Sequence, residues 1–199
     1  MHYERLIFKH NIDPDDPEIF EKFATTIEQL TLMGCGFTLM SDEENPTDRT
    51  HKILWQMPDD VTELTFLRDE NVEIASLSIK SLKSGLVRRI ARTFTENFDC
   101  YTLKELIAKA KTDYVQNPNI LMKMTLAAKR EDLEIVKIIE TALASYLPGV
   151  RYYATRAIAL NPWKIFTDAL ESMLKMEMDS TVKESAQYAL HLCQKTANL

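Results

Sequence analysis

The clearest alternation of apolar and polar positions places Thr62, Leu64 and Phe66 against Glu63 and Thr65. Across Arg68-Asp69-Glu70-Asn71 it resumes with Val72, Ile74 and Ser76 against Glu73, Ala75 and Leu77. Side chains of a strand point alternately to its two faces, so two such runs around a polar turn predict a β-hairpin. Tyr3 to His10 predicts an opening strand with Leu6 and Phe8 on one face and Ile7 on the other. Phe37 to Met40 and His51 to Met57 predict two more strands, with the acidic stretch Ser41 to Asp48 between them as a loop. After Asp13-Pro14-Asp15-Asp16-Pro17 the period changes. Ile19, Phe20, Phe23, Ile27, Leu30 and Met33 recur at helical spacing, and Asp16, Pro17 and Glu18 suit the N-cap, the first helical position and the positive end of the dipole. Gly34 and Gly36 around Cys35 end that helix. A small α+β unit follows, with the helix covering the sheet.

From Ser84 onward every periodic segment reads as helix. Ile120, Met124, Ala127, Ala128 share their offsets with Val150, Ala154, Ala157, Ile158 and with Val182, Ala186, Ala189, Leu190, in sets that start 30 and 32 residues apart. Val87, Ala91 and Phe94 echo the pattern earlier in the chain. Ile135, Ile138, Ile139, Ala142 and Leu143 align with Phe166, Ala169, Leu170, Met173 and Leu174 at a constant offset of 31. Helical pairs with short turns and a period near thirty residues predict stacked repeats. Thr102 predicts a cap for Leu103 to Tyr114, and the last helix is expected from Thr181 to Ala197.

Pro148-Gly149-Val150-Arg151 with Ala154, Ala157 and Ile158 resembles the second helix of short bacterial HEAT-like repeats of the PBS-lyase type. Asp179-Ser180-Thr181-Val182-Lys183 with Ala186, Ala189 and Leu190 does so as well. In that family a Val and a basic residue open the helix, and alanines allow close approach of neighbouring helices. The resemblance covers residues 102 to 197. Ile120 is followed by Leu121 where the family prefers a basic residue, and Met124 replaces the first alanine. The class expected is therefore mostly α: a small acidic α+β domain over residues 1–82, then an α-α solenoid of HEAT-like repeats over 83–199.

Charge sharpens this division. The net charge of the 199 residues is −6, but residues 1 to 82 carry 7 Lys/Arg against 17 Asp/Glu, a net −10. Residues 83 to 117 are at +3 and residues 118 to 199 at +1. An acidic field disfavours nucleic acid and steers basic proteins. No run approaches the eighteen apolar residues of a membrane span, the charged start MHYERLIFKH lacks the apolar stretch of a secretory signal, and three scattered cysteines suit reduced thiols. A cytoplasmic protein is expected.

Little in the sequence suggests catalysis. The four histidines have no partner at metal-ligand spacing, and neither HExxH nor CxxC occurs. Neither a metal nor a cofactor is expected. Cys35 reads as a helix-stop residue, Cys193 as core, and Arg88, Arg89 and Arg92 as a solvated basic face. The expected function is non-enzymatic recognition of a basic protein partner, an immunity or antitoxin protein being one role of that kind. Candidate contacts are Glu43, Glu44, Asp59, Asp60, Asp69 and Glu70 in the acidic turns, with Arg151, Tyr153 and Arg156 on one repeat helix. The alternative, implied by the resemblance alone, is an accessory enzyme or a chromophore- or ligand-handling protein like the phycobilin lyases.

Overall fold

A computed structural model describes residues 1–10, 12–59 and 61–196. The chain forms two compact units, Met1–Tyr101 and Thr102–Leu199. In the first, the strands are β1 (His2–Phe8), β2 (Thr38–Asn45), β3 (Thr50–Gln56), β4 (Glu63–Asp69), β5 (Ile74–Ser81) and β6 (Cys100–Tyr101), with helices α1 (Pro17–Leu32) and α2 (Ser84–Asn97). The strands make one antiparallel sheet in the order β2-β3-β4-β5-β1-β6.

The class expected is thereby corrected. Strand accounts for 20% of the chain, and the sheet unit takes up half of the sequence, so the molecule is not a mostly helical solenoid. Two local readings account for the difference. Ser41 to Asn45, expected as loop, extends β2. An edge strand needs only its ladder to one neighbour and tolerates polar residues on both faces, so alternation did not mark it. The helix containing Val87, assigned to the repeats by the 82/83 boundary, lies in the sheet unit: Val87, Ile90 and Phe94 join the same core as Leu6, Phe8, Leu77 and Ile79. Periodicity identifies an apolar stripe but not what it packs against.

Other expectations held. Leu6 and Phe8 enter that core and Ile7 does not. The β4–β5 hairpin forms, pairing Phe66 with Leu77 and Asp69 with Ile74, but its turn is Glu70 to Glu73, two residues beyond the expected Arg68 to Asn71, so that Val72 lies in the turn. Asp16 caps α1 by accepting from the Glu18 amide at 2.9 Å, with Pro17 in the first turn. Gly34, at φ +81°, supplies the left-handed residue after α1, and the Cys35 amide reaches back to the Leu30 carbonyl at 2.8 Å.

On the covered face, strand register aligns Leu6 and Phe8, Leu77 and Ile79, Leu64 and Phe66, then Ile53 and Trp55. Phe23 of α1 is the hub, its ring 4.6 to 6.2 Å from those of Phe8, Phe66, Phe94, Phe98 and Trp55. α2 packs on β1 and β5, and α1 packs on α2. Six strands at about 4.8 Å each cover roughly 29 Å, whereas two helices at about 10 Å each cover roughly 20 Å. The cover therefore falls short. Phe20, expected to be inward, is 66% exposed.

The second unit holds α3 (Leu103–Asp113), α4 (Asn119–Ala127), α5 (Leu133–Leu143), α6 (Pro148–Leu160), a 3-10 turn (Lys164–Phe166), α7 (Thr167–Leu174) and α8 (Ser180–Thr196). The expected end of α8 at Ala197 lies outside the described residues. α3 carries a full capping box between Thr102 and Glu105. α6 packs against α4, α5 and α8, and Val150, Ala154, Ala157, Ile158, Val182, Ala186 and Ala189 are buried as their spacing predicts. Asn161 at the end of α6 donates its amide to the Thr125 and Ala128 carbonyls, at 3.2 and 3.0 Å, satisfying the end of α4.

Two aromatic residues of α1 test this arrangement. Phe23→Ala is expected to destabilise the sheet unit by about 3 to 5 kcal/mol, and Phe20→Ala by under about 0.5 kcal/mol, read by urea unfolding with Trp55 fluorescence in a Trp163→Phe background. Equal costs would mean that α1 closes over β3 in solution.

Candidate functional site

Where α1 stops short, a groove of about 500 Å³ opens above β2 and β3. Ile53, Trp55 and Phe66 form its floor, and Phe20, Phe23, Ala24 and Ile27 of α1 form a wall, with Leu39 on β2 opposite. A concave, largely apolar space of this size falls in the range of ligand pockets.

Polar residues gather at one end because strand register brings them there. On β3, His51 follows the same face as Ile53 and Trp55, and it pairs across with Glu44 of β2 and Arg68 of β4. His51 is buried at 7% exposure. Its Nε2 lies 2.6 Å from Asp42 Oδ1, while Nδ1 is 3.9 Å from Asp15 Oδ2 and has no hydrogen-bond partner. Asp42 and Asp15 are more than half exposed. An ionised carboxylate only accepts, so Nε2 carries the proton directed at Asp42, while Nδ1 is left buried without a hydrogen-bond partner.

Arg68 holds the loop that supplies Asp15. Its guanidinium donates to Asp13 Oδ1 at 2.9 Å and forms an ion pair with Glu70 Oε1 at 2.7 Å. Glu70 also accepts from Arg49 at 2.8 Å. Asp13 is therefore tied to β4, and the Pro14-Asp15 segment is held over the end of the sheet.

The candidates named from sequence separate into groups. Glu43 and Glu44 stand exposed on β2. Asp69 and Glu70 lie at the same end of the sheet, but Asp69 accepts the Asn71 amide and Glu70 is occupied by its two arginines. Asp59 lies beyond the other end of β3. Its carboxylate accepts from the Thr62 hydroxyl and amide at 2.7 and 2.8 Å, and the hydroxyl bond chiefly holds its pKa below the usual value. It shapes a turn. Asp60 lies outside the described residues. The sequence singled out neither His51, Asp42, Arg68 nor the groove, because their meeting depends on pairing between strands.

In the helical unit Arg151 is not a free contact. It makes a bidentate pair with Glu177 at 2.6 and 2.8 Å and donates to the Ser145 carbonyl at 2.8 Å. The Glu177 side chain is 2% exposed. Its pKa is held at about 2, first by Arg151 and then, against the opposing effect of burial, by the Asp179 and Met178 amides. The pair closes the turn before α8. Tyr153 is half-buried against Tyr152, while Arg156 is exposed. Burial pushes the Cys100 thiol up to about 12 and the Cys193 thiol to about 11, away from nucleophilic reactivity.

Among the described residues no group of three or more His, Cys, Asp or Glu could hold a metal ion, and no helix is long and apolar enough to cross a membrane. Compared with protein-family models, curated proteins and solved structures, the chain matches none. The HEAT-like resemblance thus rests on the repeated residues alone.

Two charged networks are open to measurement. Because the folded-state pKa of Glu177 is depressed, its contribution is complete above the ordinary glutamate value of 4.5 and is lost as pH falls toward 2. That contribution is roughly 3 kcal/mol, so Glu177→Gln should flatten the loss of helical-unit stability between pH 5 and pH 3; an unchanged slope would refute the assignment. Arg68→Ala should cost about 2 kcal/mol and speed amide exchange at Asp15 and Asp16, whereas unchanged exchange would mean that the loop is held otherwise.

Proposed function

We propose that the chain is a non-enzymatic recognition protein of the cytoplasm that binds a basic protein partner through its N-terminal unit. An extended segment of the partner adds to the free edge of the sheet at β2. The observation that carries this reading is β2 itself, an edge strand exposed along almost its whole length, with Asp42, Glu43 and Glu44 in succession beside an apolar groove.

An edge strand offers unpaired amides and carbonyls to any extended segment, and side chains select among candidates. Three consecutive carboxylates repel a second copy of the same edge and attract lysine and arginine. The net −10 over residues 1 to 82 extends that preference to the encounter, through steering that weakens with salt. The groove adds apolar burial to backbone pairing. Residues 118 to 199, at +1, contribute little to this field. An immunity protein masking a basic toxin is one role that such a surface suits.

The expected behaviour is saturable binding, by calorimetry, of a synthetic peptide that alternates basic and apolar residues, weakening steeply from low to moderate salt. Glu43→Lys with Glu44→Lys should reduce the affinity at least tenfold without moving the thermal midpoint. Methylating alternate peptide amides on the pairing edge should abolish binding. A double variant that binds as tightly as the parent, or indifference to amide methylation, would refute strand addition at β2.

A further inference from the structure

We infer that the groove selects a lysine of the bound segment, its ammonium seated between His51 Nδ1 and Asp15 Oδ2 and its aliphatic stem running along the apolar wall. This rests on the reading that the partner is basic and extended, and it assigns the residue that gives specificity.

His51 has a buried ring nitrogen with no hydrogen-bond partner. His51 is 7% exposed, its Nε2 is committed to Asp42 at 2.6 Å, and Nδ1 has no hydrogen-bond partner. A buried polar atom without a partner costs free energy, on the order of 1 to 3 kcal/mol, so such an atom at the end of a groove marks where a ligand donor belongs. An acceptor, Asp15 Oδ2, lies 3.9 Å from Nδ1. With Nδ1 unprotonated, a single nitrogen seated between the two atoms donates to both.

The chemistry of the donor follows from the surroundings. Asp15 borders the position with a carboxylate, and Asp42 adds a second negative charge on the far side of the imidazole, which favours a cation over a hydroxyl or an amide. An ammonium carries three donors on one atom and suits acceptors on different residues that converge on a point. A guanidinium prefers the parallel oxygens of one carboxylate. The walls agree: Ile27, Ile53 and Trp55 offer apolar surface to the methylenes of a lysine, whose charged end alone needs polar partners. Because side chains of an added strand alternate in direction, an apolar residue two positions from the lysine shares its face and fills the remaining groove.

The test is a set of peptides, identical in sequence and each retaining its other basic residues, with lysine, acetyl-lysine, arginine or norleucine at the groove position. Affinity for the full chain is read from Trp55 fluorescence in a Trp163→Phe background. Lysine should bind at least tenfold more tightly than norleucine, and at least fivefold more tightly than arginine or acetyl-lysine. In His51→Phe the lysine advantage should fall to within twofold while norleucine keeps its affinity, which also shows that the variant is folded. Asp15→Asn, at an exposed position, should reduce the advantage in the same direction. Equal binding of lysine and norleucine to the parent overturns this inference and leaves the basic-partner reading standing, the result expected if His51 were an imidazolium already satisfied by both carboxylates. Failure of every peptide to bind overturns both.

Discussion

The mismatch between a wide sheet and a narrow helical cover is the constraint on which the sheet unit depends. α2 is committed to β1 and β5, and α1 packs beside it. Phe23 then becomes the point where both helices and three strands meet, because its ring touches Phe8, Phe66, Trp55, Phe94 and Phe98. Burying one aromatic hub this completely stabilises the covered half and leaves the β2–β3 half with a floor but no roof. Trp55 lies at the boundary, stacked on Phe23 at 6.1 Å and open to the groove.

Buried polar groups play two different parts in the two units. Around Arg151 and Glu177 every strong acceptor has a donor: the guanidinium spans the carboxylate and the Ser145 carbonyl, and the Met178 and Asp179 amides complete the arrangement. Such a network holds a turn and offers little to a partner. Around His51 the accounting does not close, since Nδ1 faces a carboxylate across 3.9 Å. The contrast is between an ion pair whose hydrogen bonds are complete and a buried imidazole with one nitrogen unpaired.

Much of the local structure was legible in the sequence. The hairpin, the opening strand, the cap at Asp16, the glycine stop and the buried positions of α6 and α8 follow from period, turn chemistry and capping, which are properties of neighbouring residues. The extent of the sheet was not legible. Ser41 to Asn45 has the composition of a loop, and only pairing with β3 makes it a strand. The helix around Val87 carries the same small and apolar spacing as the repeat helices, yet its stripe is spent on the sheet. Acidic pairs were visible as a class, but which were free was not: Glu43 and Glu44 are exposed on β2, Glu70 is held by two arginines, and Asp59 by the turn it builds.

The sequence by itself determined most of the segments, the buried stripes of α6 and α8 and the concentration of negative charge in residues 1 to 82, because these depend on residue type and spacing along the chain. Tertiary structure alone decided that Asp15, Asp42, His51 and Arg68 would meet, since they come from a loop and three strands joined by register, and even Asp42 and His51, nine residues apart, are brought together by pairing. It also decided that an apolar groove would remain open. That outcome depends on how far two helices reach across six strands, a distance that no local pattern encodes.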